Sequence, residues 1–311
     1  SVLIISIKAE ALEIRWNDES RDTIFINSAL TDARKERFDD AGARVEFFAR
    51  RFIGKPYKGH TLEGEREWLT INTDYLDCTT FVDMALALAK TSYSDTLTKE
   101  QTAYNLENMR YRNGQSEDYA SRLHYNSDWA CDNIMRANIT DVTPDIYGCR
   151  YLTRNLNFMS THRSLYPALS DKSQFEKIVE IEKNYIDCKI PYIPTASISN
   201  PKVLQSLKEG DIIGFATGVQ NLDMAHLGII VMQKGVPFVL HASSSHGKVE
   251  ISRLPLPEFV KNNKKWVGIR VFRLNQPDNS TNQDFTSQIP FCRLFQQMIS
   301  AAEHYISALL P

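Results

Sequence analysis

The chain has 311 residues, 42% of them hydrophobic and 24% charged, with a formal net charge of -2. That composition suits one large globular core or two modest ones. It offers no basic field for nucleic acid or acidic membranes, and no stretch approaches the roughly 20 apolar residues of a membrane span.

The N-terminal segment, residues 1–28, begins "SVLIISIKAEA", a short apolar run followed by Ala9-Glu10-Ala11. The small-x-small pattern fits the end of a cleaved secretory signal, with a strand packed on the domain as the alternative. Residues 29–53 have helical spacing, with Phe38, Val45, Phe48 and Phe52 near one face and Gly54 as a stop. "GKPYKGH" then turns the chain. Asp77 is a good N-cap for a helix whose apolar face carries Phe81, Val82, Ala85, Leu86 and Ala89. "LTKEQTAYNLENMRYRNG" reads as a third helix ended by Gly114. Further on, helices are expected over 126–137 and in "DKSQFEKIVEIEKNYID", with "RYLTRNLNFMSTHRSLY" showing the partial alternation of a strand. From residue 210 the texture changes to five short β-rich runs: "GDIIGFAT", "HLGIIVMQ", "PFVLHAS", "KVEISRL" and "VGIRVFRL". Helices first and a meander second make an α+β layout on an antiparallel sheet. After Gln276 a polar tail leads into "PFCRLFQQMISAAEHYISALL", an amphipathic helix pattern.

The five cysteines, Cys78, Cys131, Cys149, Cys188 and Cys292, are scattered without a CxxC pair, which argues against a zinc ribbon or a disulfide framework. Cys78 stands apart, just inside the helix capped by Asp77. A helix N-terminus favours thiolate, and its unpaired N–H groups can hold a developing oxyanion. The alternative is a small buried hydrophobe. A thiolate needs a base, and the best histidines lie in the meander. His226 opens one strand and His241 closes the next, so antiparallel pairing across "MQKGVP" brings the two together. One imidazole would take the thiol proton and the other would fix its tautomer. His246 reads as a turn residue. One cysteine and two histidines could hold zinc, but no HExxH or third short-range ligand accompanies them. GxGxxG, GxxxxGK[ST] and GxSxG are likewise missing from the sequence. No metal and no cofactor are therefore expected.

The blocks "GKPYKGH", "LDCTTFV", "GDIIGF", "HLGII" and "LHASS", in that order, resemble the NlpC-type papain-like cell-wall hydrolases. The segment "RYRNGQSEDYASRLHYNSDWACDN" is similar to one branch, the N-acetylmuramoyl-L-alanine amidase-like proteins of domain of unknown function 1460. The resemblance covers roughly residues 30–273. It implies a papain-like core, with helices packed on a five- to six-stranded, mostly antiparallel sheet. The domain would span 29–275, with an insert at about 110–200 and a C-terminal extension at 276–311. It also implies hydrolysis of the amide between N-acetylmuramic acid, in the anhydro form, and L-alanine in peptidoglycan fragments. Carried over by position, Cys78 matches the nucleophile, His226 the base, His241 the orienting third member and Tyr57 the tyrosine beside the nucleophile. Asp77 and Thr79 match the polar pair that meets the substrate peptide, and Ser243 follows in the "HAS" strand. In the insert, Arg122, His124, Tyr125 and Trp129 would wall the sugar side of the groove, with ordinary packing of Trp129 as the alternative. A monomer is expected, exported to the periplasm by a signal peptide or held there as a lipoprotein. Two other readings stay open. One is a γ-D-glutamyl-diaminopimelate endopeptidase using the same site, and the other is a non-catalytic wall-binding module.

Overall fold

The computed structural model describes residues 14–64 and 66–277. The possible signal remnant and the C-terminal amphipathic pattern lie outside the described residues. Strand β1 (Ile14–Trp16) leads into α1 (Glu19–Ala33), whose cap Asp18 accepts the Arg21 N–H. The single helix expected over 29–53 is two. Asp40 accepts the Ala43 N–H and restarts the chain as α2 (Ala41–Arg50), leaving Phe38 in the connection. Strand β2 (Leu69–Ile71) pairs in parallel with β1. Helix α3 (Cys78–Thr91) then runs through the centre of the largest core, with Phe81 through Ala89 buried. Helix α4 (Lys99–Arg110) stops four residues before Gly114, because Tyr111 turns extended (φ -115°, ψ 150°) and bridges to Arg122.

The insert adds α5 (Asn126–Met135), β3 (Ile139–Asp141), β4 (Arg150–Arg154), α6 (Phe158–Thr161), α7 (Lys172–Lys183) and β5 (Cys188–Pro194). Only the first five residues of the expected strand at 150–166 are strand; the rest is short helical turns. After α8 (Pro201–Ser206) come β6 (Ile212–Thr217), β7 (Met224–Gln233), β8 (Val236–Ser243), β9 (Lys248–Ile251), α9 (Leu256–Lys261) and β10 (Trp266–Leu274).

The main sheet has eight strands in the order β4-β5-β10-β6-β7-β8-β9, with β3 also on β10, and every pairing in it is antiparallel. This corrects the expected five or six, because the insert contributes β3, β4 and β5. It also corrects the simple meander. After β9 the chain returns through α9, and β10 lies beside β6. Apolar alternation along the strands fills two cores. Ile212, Leu227, Ile229, Val231, Leu240 and Ala242 face the α1–α5 side. Ile213, Phe215, Ile230, Val239 and Ile269 face the α8–α9 side. A third, smaller core of Tyr119, Tyr125, Leu156, Met159, Ile178 and Tyr185 belongs to the insert.

Two features of the "GDII" block fix the start of β6, one against α2 and one against β10. Gly210 has φ +74°, and a Cβ there would stand 2.0 Å from the Gly42 carbonyl oxygen, so only glycine allows this approach. Asp211 is buried and takes both Arg273 donors, at 2.7 and 2.9 Å, tying β6 to β10.

Candidate active site

The nucleophile candidate sits where local sequence chemistry puts it. Asp77 caps α3 through a reciprocal box. Its carboxylate accepts the Thr80 N–H (2.8 Å), while Thr80 Oγ1 accepts the Asp77 N–H (2.9 Å). Cys78 is then the first helical residue, with Thr79 exposed beside it. The "KPYK" turn is stitched against this start. Leu76 N–H donates to the Pro56 carbonyl, Lys58 N–H to the Leu76 carbonyl, and Tyr57 N–H to the Gly247 carbonyl. Tyr57 is thereby fixed beside Cys78. Burial, then the neighbouring Cys78 and Asp77, raise its phenol, which keeps the hydroxyl as a donor.

The histidines come from the β7–β8 pair. His226 pairs with Phe215 and Met224 with Ala216, so Ala225 is an extra residue at a bulge. Bulges re-aim side chains next to sites, and this one sends His226 to the head of the strand. His226 Nε2 and His241 Nδ1 are 2.8 Å apart, with the rings perpendicular. Gly228 lets the two strands close, since a Cβ there would fall 2.5 Å from Val239 Cγ1 and 3.4 Å from the His241 Cβ. The His226 ring lies parallel to Trp266 at 5.8 Å and near Phe215, and His241 meets Phe259 edge-on. His241 is buried and His226 half-buried, and both imidazoles are pushed down, His226 to about 3 and His241 to about 4, chiefly by desolvation.

The two halves meet through the main chain. The Leu227 backbone, directly after His226, lies beside Cys78 and favours its thiolate. Burial, and then the Asp77 carboxylate, nevertheless push the thiol up to about 11. Burial thus opposes the thiolate that the helix start favours, and it disfavours the charged form of both imidazoles.

Two cavities flank this junction. A groove of about 280 Å³ is lined by Tyr57, Cys78, Thr79, Arg122, His124 and Trp129 among others, and Asp77 lines it too. A cavity of about 780 Å³ is lined by His226, His241, Ser243, Phe259 and Trp266 among others. Arg122 is buried in ion pairs, with Nη2 2.8 Å from Glu63 and Nε 3.3 Å from Glu67. His124 holds the Tyr119 carbonyl through Nε2 at 2.7 Å. Trp129 packs edge-on against Phe272, as its packing alternative foresaw, and also reaches the groove. Tyr125 lines neither cavity. Its hydroxyl donates to Glu182 (2.6 Å) and accepts the Met159 N–H (2.8 Å), so it builds the insert core. Ser243 accepts the His246 N–H in the β8–β9 turn and stands on the histidine side.

Sequence reasoning missed the buried Asp83–Arg110 pair (2.8 Å) at the groove and the Trp266–Phe259 wall of the larger cavity. The wall carries no local signal, because it depends on β10 returning beside β6. Among the described residues, no group of three or more His, Cys, Asp or Glu is placed to hold a metal.

The sequence pattern of the family described as AmiA-like, N-acetylmuramoyl-L-alanine amidase-like, matches residues 47–269. A solved N-acetylmuramoyl-L-alanine amidase from Bacteroides uniformis is 34% identical, with 76% of this chain and 99% of that one aligned at a TM-score of 0.70. A Bacteroides fragilis protein described as a candidate xylanase is 37% identical over 73% of this chain and 99% of its own, at 0.69. A Legionella pneumophila protein of domain of unknown function 1460 shares the fold at 22% identity over 83% and 96%, at 0.65. No curated protein matches the chain.

Proposed function

The chain belongs to the N-acetylmuramoyl-L-alanine amidase-like family, and on that premise we propose that it hydrolyses the amide joining N-acetylmuramic acid, in its anhydro form, to L-alanine in peptidoglycan fragments. The fold is read as papain-like and the reaction as acyl transfer through a thioester, in the periplasm where such fragments lie. The observation that carries this reading is the convergence at one point of a helix-start thiol, the peptide after His226, and the 2.8 Å His226–His241 bond.

His226 Nε2–H donates to His241 Nδ1, which fixes the tautomer and leaves the Nδ1 lone pair of His226 as base. With burial raising the thiol and lowering the His226 imidazole, the sulfur is read as not ionising in advance. The proton therefore leaves sulfur as the S–C bond forms. Negative charge moves to the lactyl oxygen, where the Cys78 main-chain N–H and the Tyr57 hydroxyl hold it. His226 then delivers the proton to the alanine nitrogen, the C–N bond breaks, and the peptide departs. Water, deprotonated by His226, cleaves the thioester and frees the thiol.

Mass spectrometry of a digested anhydro-muropeptide tests the bond choice. Release of the intact L-alanine-led stem is expected. A fragment led by diaminopimelate would instead make the protein an endopeptidase on the same site.

A further inference from the structure

Cys78 lines one cavity and His226 the other, and the two share no lining residue. Resting on the amidase reading, we propose that they divide the substrate at its scissile bond. The acyl half and its sugar ring lie in the Cys78–Tyr57 groove. The departing peptide lies in the larger cavity beyond His226, where Arg253 and Lys265 take its carboxylates.

Three observations support this direction. The first is proton delivery. The carbonyl carbon must bond to Sγ and its oxygen must face Tyr57 and the helix start, all in the groove. The nitrogen must face the imidazole that protonates it, and His226 lines the other cavity. The second is size. A groove of about 280 Å³ suits one ring-sized group, and about 780 Å³ suits a chain of several residues. The third is charge. The cations of the groove are neutralised, Arg110 by Asp83 and Arg122 by Glu63 and Glu67. In the larger cavity, Arg253 and Lys265 have no acidic partner among the described residues, and the lining acid Glu250 bonds His246. A stem peptide carries carboxylates that two open cations would steer and hold.

The experiment compares kcat/KM for anhydro-N-acetylmuramoyl-tetrapeptide and anhydro-N-acetylmuramoyl-L-alanine amide. The enzymes are wild type, the double variant Arg253→Glu with Lys265→Glu, and Arg253→Lys. The long-to-short ratio should fall by about tenfold in the charge-reversed enzyme, mainly through KM, and stay near wild type in Arg253→Lys. Replacing the muramyl group by its lactyl part alone, in D-lactoyl-tetrapeptide, keeps the scissile amide and should slow wild type and double variant by the same factor. An unchanged ratio, or a sugar effect that vanishes in the double variant, overturns the division. A wild type that cuts elsewhere or not at all overturns the amidase reading itself, and the division with it.

Discussion

Two polar regions of this molecule look alike in sequence and behave differently in space. One is the junction of Cys78 with the β7–β8 histidines. The other is the insert segment 119–129, rich in arginine, tyrosine and histidine. In the insert many charged and hydroxyl groups pair with one another, while the Tyr119 hydroxyl, Arg122 Nε and Trp129 Nε1 are buried without a hydrogen-bond partner. Arg122 lies between Glu63 and Glu67, Tyr125 bonds Glu182, and Tyr185 shares Asp128 with Arg112. At the junction, His226 uses one ring nitrogen on His241, and the thiol stands beside Asp77, Thr79 and Tyr57. A thiol near a base with a free nitrogen can do chemistry; paired charges hold the fold together.

That contrast breaks first at the sulfur. Cys78→Ala should abolish turnover, a loss of at least about 10⁴-fold, with an unchanged urea midpoint. Activity surviving in the alanine enzyme would remove residue 78 from the mechanism. His241→Ala should follow, with kcat down by about 10²–10³-fold, because His226 loses the partner that fixes its tautomer. Equal kcat in the two enzymes would reduce His241 to packing. On the other side of the comparison, Arg122→Ala should act through stability. It strands the buried Glu67 carboxylate and should cost about 3–5 kcal/mol of unfolding free energy. Per folded molecule, its turnover of a muropeptide and of the D-lactoyl-peptide that lacks only the sugar ring should fall by the same factor. A loss confined to the sugar-bearing substrate would make Arg122 a sugar contact after all.

The junction was legible in sequence because each part is a short-range statement. A cap, a thiol and a helical face lie within 13 residues, from Asp77 to Ala89, and two strands joined by a tight turn fix the histidine pair. What sequence could not convey depended on distant partners. Strand β5 contains Pro191 and Pro194, which argue against a strand when read locally, yet it pairs with both β4 and β10. The break before α2 hangs on one aspartate side chain. At Cys78 burial opposes the helix start, and burial belongs to the assembled fold.

The smallest effect separates the same two regions by pH. Both junction imidazoles are held below their ordinary value of 6.5, His241 at about 4. The unfolded chain therefore binds more protons than the native one between roughly pH 6.5 and 4, and stability must fall as pH falls through that window. At pH 5 one such imidazole accounts for about 2 kcal/mol relative to pH 7. Buried carboxylates raised by desolvation, among them Glu67 and Asp83 near the insert, act in the opposite direction, because they take up protons more readily when folded. The net slope mixes the two regions, so a variant must separate them. His241→Asn removes one imidazole and leaves the carboxylates alone. Urea unfolding at pH 7 and pH 5 should show the wild type losing about 2 kcal/mol more than His241→Asn over that interval. Parallel losses in the two proteins would mean that His241 binds its proton equally well folded and unfolded, and that burial does not hold it neutral at pH 5.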